Sequence, residues 1–479
     1  MTLPTSESTR RLEFPASIER WTGLPLGLAI VMILAAIALH VCLFVLELWP
    51  SPRPLWGDEA TYWTAARTLA TSGAWDLDPL WPPLYPRLLS WGLALGFGRT
   101  ALALVQSALL FAAAGLLGAI TERAGFAFLG DEKLARRAGF LSAWFLVADP
   151  QVASFAHYLW PEVPHLFLMI VATWLFVRHV DHLGALALAG ASIGLALGLK
   201  FLLWPVVPIA QALIARSSRR GALGLVVFSL TVLGASIAGG WRGDRGLAIE
   251  DSARFNAWVG LNDVSRRSLE REIVGDEYVR YRASAPDSAG RNEVLGREIR
   301  AKFEQDGAGT ILARQLARQP FRLFDRESFF TAQLPGGAIS RTDRGYALRS
   351  PALVAGLRTW ATLIYLAVLA LGLLGLVVYV GRRDSAVRGL VWAVVAFLTY
   401  QLAMFLILHI KSRYRMPMMP CFALFAGVAL SSLAETVAAL HRPRRLVAGL
   451  LIALAIFFAL GGPLVDLFDP LVPISAANS

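Results

Sequence analysis

Apolar stretches long enough to cross a bilayer recur along almost the whole chain. They fall at about 22–47, 100–121, 138–158, 163–180, 183–199, 201–215, 220–240, 353–380, 387–409, 416–437 and 445–463. A hydrocarbon core about 30 Å thick takes roughly 20 apolar residues of helix to span. Inside it a chain must satisfy its own backbone hydrogen bonds. These segments are too long and too uniformly apolar for barrel strands, so the sequence predicts an all-α polytopic membrane protein. Composition agrees, because only 16% of the 479 residues are charged, against about 25% in a soluble domain.

The net charge of +11 does not point to nucleic acid, because the basic residues form short runs between apolar segments. Such runs mark cytoplasmic loops. They include Arg10/Arg11/Arg20, Arg123 with Lys133/Arg136/Arg137, Arg178, Arg216/Arg219/Arg220, Arg382/Arg383/Arg388 and Arg442/Arg444/Arg445. About eleven spans alternate consistently with that assignment if the short apolar stretch 84–98 is interfacial or re-entrant and does not cross. The polar start, Met1 to Trp21, runs into an apolar stretch too long for a signal-peptide core, so an uncleaved first span is expected. Cys42 and Cys421 both lie in or near apolar segments and form no metal-binding spacing.

Three parts follow from this layout: an N-terminal membrane module (1–240) with a first external loop at 48–99, an external segment (241–352), and C-terminal spans (353–479). The 241–352 segment, about 110 residues, carries charges of both signs. Val294, Leu295, Ile299 and Phe303, then Ile311, Leu312 and Leu316, have helical spacing. Breaks are expected at Pro320 and Pro335-Gly336-Gly337. The reading is a small, mostly helical external subdomain resting on the membrane part.

Residues suited to chemistry gather on the face opposite the basic runs. Trp56-Gly57-Asp58-Glu59 follows the first span, and Trp81-Pro82-Pro83-Leu84-Tyr85-Pro86 comes about 20 residues later. Acids at a membrane boundary are functional candidates by default. Helix neighbours point about 100° apart, so one acid can face a cavity while the other holds the scaffold or a metal. An exposed carboxylate suits general-base work on an acceptor hydroxyl; a surface turn or a helix N-terminus would explain the pair equally. Glu162, after Pro161, is either a first-turn acid or a third acid that would help hold a divalent cation. Lys200, alone in an apolar run, must reach an interface, a helix break or an anion. Arg413 and Arg415 flank Tyr414 and put positive charge on the outer face against the usual bias, so they read as phosphate ligands. Arg87 is another candidate of that kind, while Tyr62, Tyr85, His157 and Tyr414 are expected to line the pocket. No nucleotide-binding glycine loop, Ser/His/Asp order or metal-binding Cys or His motif is present, and most Trp residues read as interfacial-belt residues.

Taken in order, Gly-Asp-Glu-Ala-x-Tyr, Pro-Pro-Leu-Tyr-Pro, the Pro-Glu turn, Gly-Leu-x-x-Gly-Leu-Lys and Lys-x-Arg-Tyr-Arg-x-Pro resemble the GT-C glycosyltransferases. The pattern is similar to that of the protein O-mannosyltransferase and lipid A aminoarabinose transferase group, from about Trp56 to Gly427. The resemblance implies a GT-C-like helical bundle in a bacterial-type inner membrane, with its site on the periplasmic or external side. It implies an inverting transferase that moves a sugar from a polyprenyl-phosphate-linked donor to a lipid, glycan or protein acceptor. By position, Asp58 would be the base, Glu59 its support, and Glu162 the second-turn acid. Lys200, Arg413 and Arg415 would hold the donor phosphate, and a divalent cation at Asp58 and Glu162 is admitted. Aminoarabinose transferases have Lys before the Pro-Pro pair where this chain has Trp81, which argues against aminoarabinose transfer to lipid A. The rival readings are a lipid-linked saccharide transporter and a polysaccharide polymerase or ligase.

Overall fold

The computed structural model describes residues 14–49, 52–201, 204–217, 219–242, 247, 252–263, 274–335, 350–380 and 385–466. Arg10, Arg11, Arg382, Arg383, Gly336 and Gly337 lie outside the described residues. Among those described, the chain is helical, and its one extended pairing is an isolated bridge between Trp241 and Leu247.

A short α1 (Phe14–Thr22) precedes α2 (Leu26–Glu47), and α3 (Asp58–Ser72) and α4 (Leu84–Ala94) follow before α5 (Arg99–Leu129) and α6 (Glu132–Ala148). One turn, α7 (Pro150–Ala153), leads into α8 (Glu162–His179), α9 (Leu183–Leu199), α10 (Val206–Ser217) and α11 (Gly221–Gly240). The polar segment holds α12 (Ala253–Asn262), α13 (Val274–Ser284), α14 (Ser288–Asp306), α15 (Ala308–Phe324) and α16 (Phe329–Gln333). The last part runs through α17 (Pro351–Val380), α18 (Ser385–Phe405), a 3₁₀ segment at Ser412–Met418, α19 (Met419–Ser431), α20 (Leu433–Ala438) and α21 (Arg442–Asp466).

Six helices are long and apolar enough to cross a membrane, within α2, α5, α11, α17, α18 and α21, and α9 and α10 are shorter apolar helices. The other expected crossings correspond to α6, α8 and α19. Helix α19 has 13 residues, nearly all buried, so its small side chains serve helix packing more than lipid contact. Helix α4, with 11 residues, is about 16 Å long at 1.5 Å per residue, half a bilayer core. A helix of that length is too short to cross on its own, in keeping with an interfacial or re-entrant stretch.

The glycines of α9 let it pack closely on α11. A Cβ on Gly194 would lie 2.5 Å from the Val232 carbonyl and one on Gly190 2.6 Å from that of Phe228, so α9 and α11 approach at backbone distance.

Contacts separate the two ends of the bundle. At one end Arg136 donates to the Arg20 carbonyl (3.0 Å), Arg137 to that of Gly23 (3.2 Å), and the Arg219 amide to Asp181 (2.7 Å). These belong to the basic runs. At the other end stand the α2–α3, α6–α8, α9–α10 and α18–α19 connections, with the polar segment over them.

That segment departs from expectation at one point. Pro320 does not end a helix, since α15 runs through it to Phe324. The break comes earlier, at Gly307, whose φ of +76° suits glycine. A proline inside a helix costs about 3 kcal/mol. The residues just beyond it offset that cost: Phe321 meets Phe457 and Phe458 edge to face, while Arg322 donates to the Ile410 carbonyl (3.1 Å) and pairs with Asp263.

Candidate functional site

The four connections and the polar segment enclose a cavity of ≈ 220 Å³. Its wall carries Asp58, Tyr62 and Trp81 from the first loop, Trp160 and Glu162 from the α6–α8 turn, and Lys200 from the α9 break. Phe255, Asn256 and Tyr278 come from the polar segment, and Gln401, His409, Lys411, Arg413 and Tyr414 from α18 and the loop after it. The polar segment therefore lends a wall to the cavity.

Asp58 is the first residue of α3, set by Gly57 at φ +56°, ψ −133°, a region nearly closed to other residues. That turn aims the carboxylate at the cavity. One oxygen lies 2.6 Å from Arg413 Nη2, and the other accepts from the Trp81 indole N–H at 3.3 Å. Burial pushes the Asp58 pKa up, but Arg413, with help from Lys411 and Trp81, outweighs it and holds the carboxyl below its usual range. Arg413 is raised well above the ordinary arginine value: burial works against its charge, and Asp58 more than makes up for it. Its guanidinium lies 4.7 Å over the Trp160 ring and 5.3 Å over that of Tyr414. Its Nε–H is buried and has no hydrogen-bond partner among the described residues.

Glu59 turns the other way. Its carboxylate accepts from Arg53 at 2.7 and 3.0 Å, from the Leu159 amide at 2.9 Å and from the Trp56 amide at 3.3 Å. Arg53 also pairs with Glu47 at the end of α2, which accepts from the Tyr158 hydroxyl at 3.2 Å. Glu59 thus ties the first loop to the α6–α8 turn and does not line the cavity. The sequence reading gave Asp58 as the base and Glu59 as its support, and the structure gives the two acids different partners.

Lys200 finds two of the three settings open to an isolated lysine, a helix break and an anion. It caps α9 in extended conformation (φ −153°, ψ 98°) and donates to Glu162 Oε1 at 2.7 Å. The second Glu162 oxygen is buried without a partner among the described residues. Lys200 also stands 5.7 Å over the Tyr414 ring.

Four expected residues are not brought to the cavity. Arg415 is buried in the interior, where Gln151 and the Leu323 and Asp325 carbonyls take its N–H groups and the Tyr365 ring lies 4.2 Å beneath it. Arg87 donates to the Ala238 carbonyl (2.8 Å) and lies over Trp75. Tyr85 donates to Gln106 at 3.0 Å, edge-on to Tyr62 but behind it. His157 sits 6.0 Å from the His40 ring, with burial, then His40 and Arg53, lowering its pKa to about 3.

Sequence reasoning passed over other members of the wall. Trp81, noted only within the Pro-rich motif, and Trp160, given no role, lie against Asp58 and Arg413. Gln401 is fully buried, and neither amide atom has a partner among the described residues. A lone glutamine one turn before Phe405 in an apolar helix is its only sequence signal.

Three cations, Lys200, Lys411 and Arg413, face two carboxylates, Asp58 and Glu162, in this wall. His409 adds no charge near neutral pH: burial, then Arg322, Lys411 and Arg413, hold its pKa well below the usual value. Among the described residues, no three His, Cys, Asp or Glu side chains gather as a metal-ligand set.

A second cavity of ≈ 830 Å³ lies among α5, α8, α10, α18 and α19 and is mainly apolar. It shares Pro417 with the first and extends to Arg123 and Arg216.

No family model and no curated protein matches the chain. Among solved structures it is similar to ArnT from Cupriavidus metallidurans, crystallised bound to undecaprenyl phosphate and in the apo state. The identities are 19% and 18%, over 86% of this chain and 76% of that one, with a TM-score of 0.34 in both cases. At that score the likeness is loose.

Proposed function

We propose that the chain is an inverting glycosyltransferase that takes a sugar from a polyprenyl-phosphate donor and passes it to a hydroxyl of a lipid, glycan or protein. The observation that carries this reading is the Asp58–Arg413 contact (2.6 Å) in a cavity that Lys200 also lines. A phosphodiester carries one negative charge, and the Arg413 Nε–H, without a partner among the described residues, is a buried donor suited to its oxygen. The adjoining apolar cavity suits the isoprenoid chain. The loops around the site are those that the charge pattern puts outside the membrane, so transfer occurs on the periplasmic or external side.

In this mechanism the resting Asp58 is a weak base because Arg413 compensates its charge. Donor phosphate draws Arg413 and Lys200 toward itself, Asp58 loses its partner, and its basicity rises as the acceptor hydroxyl arrives. Asp58 then takes the hydroxyl proton, the oxygen attacks the anomeric carbon from the face opposite the phosphate, and polyprenyl phosphate leaves. Asp58 and Glu162 are each paired with a protein cation, Arg413 and Lys200, which already compensates part of their charge. The reading that these residues support is compensation by protein cations.

Incubating the purified protein in nanodiscs with radiolabelled polyprenyl-phosphate sugars and a membrane lipid extract, with and without chelator, tests it. Free polyprenyl phosphate together with a labelled product is the expected result, and it is expected to survive chelation. The apolar cavity running from Pro417 to Arg123 and Arg216 favours one rival, a lipid-linked saccharide transporter. Movement of intact donor across a vesicle membrane without its consumption would establish that rival instead.

A further inference from the structure

Gln401 is 0% exposed, stands in the cavity wall, and has neither its amide N–H₂ nor its carbonyl paired among the described residues. Buried polar groups are nearly always hydrogen-bonded, and leaving a donor and an acceptor unmade is expensive. The surroundings offer no relief: Met404 and Phe405, one turn along on the same face of α18, also line the cavity, and Phe397, one turn back, lines the apolar one. A glutamine in such a stripe is either a defect or a reader of something that enters the cavity.

What it would read follows from its chemistry. A phosphate oxygen only accepts and would leave the Gln401 carbonyl unpaired; the cavity already has Lys200, Lys411 and Arg413 for it. A sugar hydroxyl both donates and accepts, as an amide does. Resting on the reading of the cavity as a lipid-linked sugar site, we propose that Gln401 reads the transferred sugar. Its N–H₂ donates to one ring hydroxyl and its carbonyl accepts from that hydroxyl or its neighbour. Gln401 is thereby a specificity-determining residue, placed to tell epimers apart by where a hydroxyl points.

The test uses the full chain in nanodiscs, wild type and Gln401→Leu, with undecaprenyl phosphate either bare or carrying glucose, galactose or mannose. Leucine keeps the volume and removes the unpaired amide, so the variant is expected to unfold at the same temperature as wild type or higher. In the wild type one sugar-bearing donor is expected to raise the unfolding temperature more than bare undecaprenyl phosphate does. In Gln401→Leu that excess vanishes while the effect of the bare lipid remains. In transfer assays the preference among the three sugars should fall about 10-fold to 100-fold, the range for one unmade buried hydrogen-bond pair. Gln401→Asn, which retracts the amide by one methylene, serves if the leucine variant does not fold, and the same losses are expected. Gln401 has no such role if no sugar adds to the bare lipid's effect in the wild type, or if the excess persists in the variants. Sugar-dependent stabilisation lost in Gln401→Leu without any transfer by the wild type would sustain Gln401 as a reader and sink the transferase.

Discussion

Arg413 Nη2 and Asp58 Oδ2 lie 2.6 Å apart although 355 residues separate them in the chain. The contact joins the loop after the first span to the loop before α19, and it sets the charge state of the proposed base. Asp58 has a lowered pKa when folded, so its contribution to stability is fully present above the unfolded value, about 3.9. That contribution is lost as pH falls through the lower folded value. Activity carried by Asp58 should therefore be insensitive to its titration from about pH 5 upward. Replacing Arg413 with Met removes the charge that depresses Asp58, and the acid limb of kcat/KM should move toward neutral pH as overall activity falls. An acid limb that stays in place would show that Arg413 does not set the Asp58 titration.

Asp58→Asn keeps the shape and removes the base. Transfer should drop about 10²-fold to 10⁴-fold, the usual yield of general-base catalysis. Trp81 can still donate to the amide oxygen, but Arg413 loses its counter-charge, so the unfolding temperature should fall and transfer is compared per folded protein. Near-native transfer by a folded Asp58→Asn protein would remove Asp58 from the mechanism.

Glu59→Gln should behave in the opposite way. Glu59 is 1% exposed and accepts four hydrogen bonds, two of them from Arg53. Neutralising it leaves Arg53 with Glu47 and strips charge from a buried network, a loss of about 3–5 kcal/mol. The folded fraction should keep a kcat close to wild type, because Glu59 does not line the cavity. A stable Glu59→Gln protein with a kcat lowered 100-fold or more would return Glu59 to the catalytic set.

What the sequence made legible was local. Hydropathy is a property of a window, so the long apolar helices, the short apolar stretch at 84–98 and the helix break at Lys200 could be read from runs of residues. The adjacency of Asp58 and Glu59 could not say which acid faces the cavity. That depends on Arg53, whose only signal is a charged residue between two prolines six positions before Glu59, with Glu47 six positions earlier. Arg413 and Arg415 looked equivalent from the loop sequence, yet a 3₁₀ segment sends one to Asp58 and the other to Gln151. Partners supplied by distant helices decide such cases, and Pro320 is a further one: tertiary contacts at Phe321 and Arg322 carry α15 past a residue that ends most helices.

Lys200 and Glu162 form a pair whose two roles can be separated. Their side chains are 19% and 2% exposed, so Lys200→Met leaves Glu162 charged and buried and should cost about 3 kcal/mol of stability. Adding Glu162→Gln removes that stranded charge, and the double variant should recover most of the loss. Donor binding should not recover, since the cation that meets the phosphate is still missing. KM for the lipid-linked sugar should stay raised about 10-fold or more in both variants, the yield of one charged hydrogen bond. Recovery of KM along with stability would make Lys200 a structural partner of Glu162 and nothing more.

Gly57 is where backbone geometry and chemistry meet. Its φ of +56° and ψ of −133° turn the chain so that Asp58 opens α3 facing the cavity, and a Cβ there would touch nothing within 4 Å. Gly57→Ala therefore adds no clash, only backbone strain, on the order of 1–3 kcal/mol. The strain can be relieved by rotating the first turn of α3, which swings Asp58 away from Arg413 and Trp81. Transfer should then fall more than stability does, and the acid limb of the pH profile should rise as Asp58 loses Arg413. If Gly57→Ala lost stability with an unchanged kcat and pH profile, the turn would be bearing strain without aiming the carboxylate.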